Sequence, residues 1–416
     1  MKNLYIIGAG PAGLMAAISA ARTSDEVKIT ILEGNERPGK KLLTTGNGRC
    51  NLTNMDPELP LHYYGSAAMP ARKLLSEKGA LWVRSFFKEL GLLTIEKNGY
   101  VYPYTMQARS VLDVLLNEAE RLKIRIKTGE KIIKLVKSDG YVEKFHIYTD
   151  SWIYQADAVI IACGSKAAPA SGSDGSGYEL AEQAGHQLAP VAPALTAMTS
   201  SFNEASQLAG LRSSARVTLY GKRKKEDSFD LIASEQGELQ WTKNGISGIV
   251  VFQLSRFIEY PASYEAEINL FPSFEEDELC KLLLKRKESC PKMSAARLFS
   301  GILQEKIIPV LMKRAAIGKN INCSQLKAEQ IKALLHEAFH FRIPITGTLS
   351  FKEAQVCRGG VLAGDLNPRT LESRILPGLY FAGEVIDIDG PCGGYNLQWA
   401  WTSGYISGQS AAFRLS

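Results

Sequence analysis

The hydrophobic pattern changes period twice within the first 33 residues. Leu4-Tyr5-Ile6-Ile7 is a short, unbroken apolar run, as in a strand covered on both faces of a parallel sheet. Gly8-Ala9-Gly10-Pro11-Ala12-Gly13 then breaks it as a turn, and Leu14 to Arg22, rich in small and apolar residues, predicts a helix lying close on the sheet. Lys28-Ile29-Thr30-Ile31-Leu32 predicts a second strand ending at Glu33. Helical patterns dominate from about 56 to 128, including Ala80–Leu90 and Ser110–Leu122. Lys131–Val136 and Tyr141–Thr149 predict strands joined by the turn Ser138-Asp139-Gly140. Ala158-Val159-Ile160-Ile161-Ala162 is another buried-strand run, stopped by Cys163-Gly164.

After Gly185 the character changes. Ala215–Tyr220, Phe229–Ala233, Gly248–Leu254 and Glu265–Leu270 predict strands, and residues 273–340 predict helices, with Ser273-x-x-Glu276 as a capping box. From about 345 the glycine-rich strand–turn–helix style returns in Gly378-Leu379-Tyr380-Phe381-Ala382-Gly383-Glu384. The expected fold class is therefore α/β. A Rossmann-like domain in two pieces, 1–190 and 345–416, is interrupted by a β-rich insert, 191–272, and a helical subdomain, 273–344.

Composition narrows the function classes. At 416 residues, 45% hydrophobic and 22% charged, the chain is an ordinary globular one. Its net charge of +6 is small for this length and is not gathered into a stripe. The densest cluster, Lys222-Arg223-Lys224-Lys225, is followed at once by Glu226 and Asp227, which fits a solvated turn better than a nucleic-acid face. No nucleic-acid partner is expected. Seven cysteines without CxxC spacing read as reduced thiols in a cytoplasmic protein. No run of ~18 apolar residues predicts a membrane span.

Gly8-x-Gly10-x-x-Gly13 gains meaning from its context, because it follows a strand, opens a helix and is followed by Glu33 at the end of the next strand. Gly8 permits the tight turn, Gly10 admits a pyrophosphate to the backbone, and Gly13 lets the helix approach the sheet. Free N–H groups at the helix start favour phosphate, and Glu33 can accept hydrogen bonds from ribose hydroxyls. The expected ligand is a dinucleotide. Gly393-Gly394-Tyr395-Asn396-Leu397-Gln398 opens a further helix whose start could serve an isoalloxazine edge, which favours FAD.

Two long segments resemble a known family. Lys40-Lys41-Leu42-x-x-Thr45-Gly46-Asn47-Gly48-Arg49-Cys50-Asn51-Leu52-Thr53-Asn54 is similar to its first signature. Gly378–Glu384, continued by Asp387, Asp389, Gly390 and Gly393–Ala400, is similar to its second. The family is that of the FAD-binding flavoproteins that include aminoacetone oxidase and a reductase of bile-acid 3-oxo intermediates. The similarity extends over essentially the whole chain, through Tyr102-Pro103-Tyr104, Gly245-Ile246-Ser247-Gly248 and Gly359-Gly360-Val361.

The resemblance implies a glutathione-reductase-like FAD domain with an inserted domain that covers the substrate. It implies cofactor contacts from Gly8, Gly10, Pro11, Ala12, Gly13 and Glu33 to the ADP half, and from Lys41, Gly48, Arg49, Cys50 and Asn51 along the ribityl and flavin side. Ala162, Gly164, Gly383 and Glu384 join them near the ribityl–pyrophosphate region, and Asn396 and Leu397 lie at the flavin ring. Two positions depart from the family: Lys243-Asn244 stands where a histidine or aspartate is frequent, and Tyr100 where an arginine is frequent.

The expected function is an FAD-dependent oxidoreductase moving a hydride between flavin and a small organic substrate, an amine or an enone, with NAD(P)H or oxygen as the other partner. A flavin-dependent RNA-modifying protein or flavin-binding sensor stands as the alternative. No catalytic acid or base is identified. His336-Glu337-Ala338-Phe339-His340 fits the zincin pattern H-E-x-x-H. No further histidine follows, and the carboxylate considered as third ligand, Glu353, lies past Pro344. A helix surface is the expected reading, and no metal is assigned. Cys50 and Cys163 read as packing residues rather than redox thiols. The loop Gly172–Gly177 is either a phosphate cradle or a connection, and the alternating Tyr100, Tyr102 and Tyr104 read as strand packing.

Overall fold

A computed structural model describes residues 1–138, 144–222, 228–259 and 262–416. It divides into two units, Met1–Pro193 with Phe351–Ser416, and Ala194–Ser350.

The first unit is built on a five-stranded parallel sheet. Its strands are β1 (Lys2–Ile7), β2 (Val27–Glu33), β3 (Arg125–Thr128), β4 (Ala158–Ile161) and β5 (Leu379–Phe381), in spatial order β5-β4-β1-β2-β3. Ile6 lies level with Ile160 on one side and Ile31 on the other, and Ile160 with Tyr380. All four residues of β4 are buried, as the unbroken apolar run predicts. The chain thus leaves the sheet after β4 and returns through the insert to add β5, so both terminal pieces contribute to one sheet.

Two helices cover one face of this sheet, α1 (Pro11–Thr23) and the C-terminal α2 (Tyr395–Leu415). Small residues set their separation. A Cβ on Gly404 would stand 2.4 Å from the carbonyl oxygen of Ala12, and one on Gly408 2.1 Å from that of Ala16. The backbones therefore touch where side chains would normally intervene. Ser19 reinforces the crossing by donating its hydroxyl to the Tyr405 carbonyl at 2.7 Å.

Other sequence expectations sit around this core. The helices Ala80–Glu89 and Ala108–Arg121 form where periodicity places them. Ile132–Lys137 and Phe145–Thr149 pair antiparallel, and Ile153–Ala156 adds a third strand. The Asp139-Gly140 part of their connecting turn lies outside the described residues, as do Arg223 to Asp227 of the basic cluster.

The second unit contains a closed barrel, in order Met198–Ser200, Gly245–Ser247, Asp230–Thr242, Arg212–Lys222, Ser263–Asn269 and Phe341–Thr348. Trp241 and Phe341 meet edge to face in its core, with centroids 5.5 Å apart. The helices Glu276–Ser289 and Ala328–Phe339 share that core through Leu283, Leu334 and Leu335.

Two expectations are corrected here. The apolar run Gly248–Leu254 is a helix, Ile249–Ser255, and not a strand. Gly248 turns the chain at φ 103°, and the helix buries Val250, Val251 and Leu254 on one side while Ile249 stays exposed. The capping box at Ser273 does not form: the helix begins at Glu276 behind Glu275, with no side-chain cap, and carries Glu276, Asp277 and Glu278 against its positive end.

Candidate functional site

The end of β1, the turn and the start of α1 make a cradle. A Cβ on Gly13 would lie 1.9 Å from the Gly8 carbonyl oxygen, and Gly8 itself, at φ 107°, is packed against the Ala162 backbone. Glycine is required at both by contact. Gly10 differs, because a Cβ there would meet nothing within 4 Å, so the turn opens at that residue. Pro11 takes the first helical position, no side chain caps the helix, and its first turn carries no acid. Ala12 and Gly13 therefore present an uncapped helix start beside open space, an arrangement suited to phosphate.

Glu33 is buried at the end of β2, beside this cradle. Its carboxylate accepts from the Ala9 N–H at 2.7 Å, from the Asn35 N–H at 2.9 Å and from the Asn35 side-chain amide at 2.7 Å. A carboxylate offers roughly four acceptor positions, so one stays available to a ribose hydroxyl. Asn35 also donates to the Ser171 carbonyl at 3.2 Å, and Gly172 is packed on the Asn35 amide. The glycine-rich loop before the helix Ser176–Gln183 thus closes over Asn35 at its start. Further along it, the Ser173 hydroxyl binds the Ser165 backbone beside Gly164.

A second cluster adjoins the cradle through Gly383, whose Cβ position lies 2.9 Å from the Ala12 side chain. Lys41 reaches Glu384 at 2.6 Å, and the Ser165 hydroxyl donates to the same carboxylate at 3.0 Å. Two distant parts of the sequence thus converge on the Glu384 carboxylate and hold it.

A third cluster surrounds the N-terminus of α2. Cys50 adopts φ 59° and is fully buried, and burial pushes its thiol up to about 12 despite a hydrogen bond with Thr45. Cys163 is likewise pushed up to about 12 by burial. Neither thiol ionises readily, which suits packing rather than redox exchange. Asn51 is buried beside Gly394, and its Oδ1 has no hydrogen-bond partner among the described residues. A buried amide oxygen without a partner is a place where a bound group completes the bonding. Thr53, in the short strand Thr53–Asn54, donates to Gln398 at 2.5 Å and fixes that strand to α2.

Some residues have local duties. Asn396 accepts from the Gly390 N–H and donates to its carbonyl, clamping the turn before α2. Leu397 packs half-buried on the sheet core. Gly48 and Arg49 are exposed, and the Arg49 guanidinium stands 5.9 Å over the Tyr102 ring.

Sequence reasoning missed a polar trio. The Tyr395 hydroxyl donates to Asp56 at 2.8 Å, and His62 Nε2 lies 3.0 Å from the same carboxylate oxygen. Burial pushes the Asp56 carboxyl upward, but the Glu58 N–H, the Tyr395 hydroxyl and His62 outweigh it and hold the acid below its usual value. Burial and the neighbouring Asp56 raise Tyr395. No spacing rule links residues more than 300 positions apart, so only the presence of Tyr395 in the second signature pointed here.

The cradle, the acid at the end of β2 and the unpartnered Asn51 oxygen together fit an extended dinucleotide such as FAD. Comparison with known proteins agrees. The HI0933-like protein Rossmann domain matches residues 2–410. A 3-dehydro-bile acid delta(4,6)-reductase from Clostridium scindens is 41% identical over 100% of both chains. A ribosomal RNA dihydrouridine synthase from Haemophilus influenzae is 28% identical over 96% of each. A quinol–fumarate reductase solved with menaquinol shares the fold, with TM-score 0.52 and 14% identity over 99% of this chain and 71% of that one. Among the described residues no helix is long and apolar enough to cross a membrane. The chain belongs to the HI0933-like Rossmann family and is an FAD-dependent oxidoreductase.

Proposed function

We propose that this chain reduces a carbon–carbon double bond conjugated to a carbonyl, in a small molecule of the 3-oxo steroid or bile-acid class. The end-to-end 41% identity with a delta(4,6)-reductase carries this reading. A uracil ring also holds a double bond conjugated to a carbonyl, so the dihydrouridine synthase at 28% identity is related by chemistry and more distant by sequence. The net charge of only +6 favours the small molecule over RNA. FAD, when bound and first reduced by NAD(P)H, would supply the hydride and return to its oxidised form, and a proton would complete the saturated product.

The residues divide the work of holding that cofactor. Gly8, Gly10, Pro11, Ala12 and Gly13 receive the pyrophosphate at the start of α1, with Ala162 and Gly164 beneath the turn. Glu33 takes the adenosine ribose. Glu384, held by Lys41 and Ser165, and Gly383 serve the ribityl–pyrophosphate region. Gly48, Arg49, Cys50, Asn51, Asn396 and Leu397 line the flavin side, where the free Asn51 oxygen accepts from the cofactor. NAD(P)H acts as a transient reductant without a domain of its own. Seven free cysteines support a reducing, cytoplasmic setting.

The test is anaerobic. NADH or NADPH should bleach the oxidised-flavin band of the purified protein, and a 3-oxo-4,6-diene bile acid should then restore it, with one flavin reoxidised for each double bond reduced. Recovery with ribosomal RNA and none with the dienone would overturn the substrate class.

A further inference from the structure

The H-E-x-x-H segment gains in the folded insert a third ligand that its own neighbourhood lacks. His336 lies in the last turn of the helix Ala328–Phe339 and His340 caps its C-terminus. Their rings are 4.7 Å apart and tilted by 41°. Glu276, in the first turn of the helix Glu276–Ser289, brings a carboxylate oxygen to the pair. One ligand atom from each of the three residues lies within 4.8 Å of the other two. Ligand atoms around a tetrahedral ion with bonds of about 2.0–2.1 Å stand about 3.3 Å apart. Both histidines are exposed and Glu276 is half-buried, so small side-chain rotations close the remaining distance.

A second observation concerns what stands behind the ligands. His340 Nδ1 lies 3.3 Å from a Glu267 carboxylate oxygen, and Arg342 Nε holds the other oxygen at 2.8 Å. A proton on the Nδ1 that faces Glu267 would leave Nε2 with the lone pair a metal ion needs. This is the carboxylate–histidine arrangement that orients an imidazole for a metal ion. Charge points the same way. Glu267 is matched by Arg342 and Glu337 by Arg314 at 3.2 Å, whereas Glu276 has no ion-pair partner among the described residues. The histidines line an open pocket of about 480 Å³, with room for water ligands.

We propose that Glu276, His336 and His340 form a binding site for a borderline divalent cation of the zinc class. The ion ties the start of one insert helix to the end of another. The site is not a zincin centre, because Glu337, the base such an enzyme uses, is held by Arg314. Two imidazoles with a single carboxylate select zinc over magnesium or calcium, which prefer all-oxygen sets.

The experiment uses the tag-free, FAD-loaded full chain, washed with chelator and dialysed against micromolar zinc chloride. Bound metal is counted by mass spectrometry, and magnesium chloride serves as the comparison ion. The wild type should hold about one zinc per chain and raise its melting temperature on loading. His336→Ala and His340→Ala should lose both effects while keeping flavin content and the zinc-free melting curve. Glu276→Gln should weaken binding, and Glu267→Gln should lower affinity by roughly 10- to 100-fold without removing a ligand. Cobalt in place of zinc should give visible ligand-field bands in the wild type and lose them in His336→Ala. No stoichiometric zinc in the wild type, or the same uptake in all four variants, would overturn the proposal.

Discussion

At the scale of single residues, local spacing exposes some contacts and chain distance hides others. Glu33 is legible because strand, turn, helix and strand follow one another directly, which brings the end of β2 beside the turn after β1. Its bond to the Ala9 N–H follows from that topology. The Lys41–Glu384 pair and the Tyr395–Asp56 bond are not legible, since each joins residues more than 300 positions apart. If Glu33 holds the ribose, Glu33→Gln should weaken FAD binding by ~1–3 kcal/mol, roughly five- to 150-fold in Kd. The amide adds a donor facing the donors of Ala9 and Asn35, and it removes charge from the acceptor. Flavin loss during dialysis measures the first effect, and melting of the flavin-free protein separates the second. FAD retention equal to wild type would show that the ribose is held elsewhere.

Among elements, apolar runs and small residues carry unequal information. β1, β2 and β4 were readable because an unbroken apolar run between turn residues has few other destinations in a parallel sheet. The segment after Gly248 reads as a strand in the sequence because a seven-residue helix buried on one side shows the same short apolar run. The α1–α2 crossing was hidden for another reason: glycine within a helix looks like weak propensity until a second backbone is seen against it. Gly408→Ala should therefore cost more than the gain in helix propensity suggests. Its Cβ would stand 2.1 Å from the Ala16 carbonyl oxygen, a backbone atom that cannot turn away. A net destabilisation of ~1–3 kcal/mol is expected from such overpacking. Urea unfolding of the FAD-bound protein checks it, with Phe413→Ala, exposed on the same helix, as a control expected within ~0.5 kcal/mol of wild type. If Gly408→Ala matches or exceeds wild-type stability, the helices are not held at backbone contact.

For the molecule as a whole, the return of glycine-rich patterning after residue 345 makes a divided Rossmann domain legible, because β5, at Leu379–Phe381, joins a sheet begun at Lys2. The barrel was not legible as a closed object. Its strands announce themselves singly, but closure depends on the pairing of Met198 with Thr348, at opposite ends of the insert. The same separation hid Glu276 from the histidine pair. That closure has a consequence for folding. The first and last strands of the insert are neighbours, and Leu349 donates to the Ala197 carbonyl at 2.9 Å. The unit's entry and exit therefore lie side by side, as in domains that tolerate excision. One hydrophobic core, including Trp241, Phe299, Leu334 and Phe341, is drawn entirely from residues 198–345. Residues 194–350 expressed alone should accordingly fold to a single cooperative state. Near-ultraviolet circular dichroism should report Trp241 in a fixed packing against Phe341, and its loss on heating should coincide with loss of the far-ultraviolet signal. A fragment with secondary structure but no near-ultraviolet signal, and no cooperative melt, would show that the barrel depends on the flavin-binding unit for its packing.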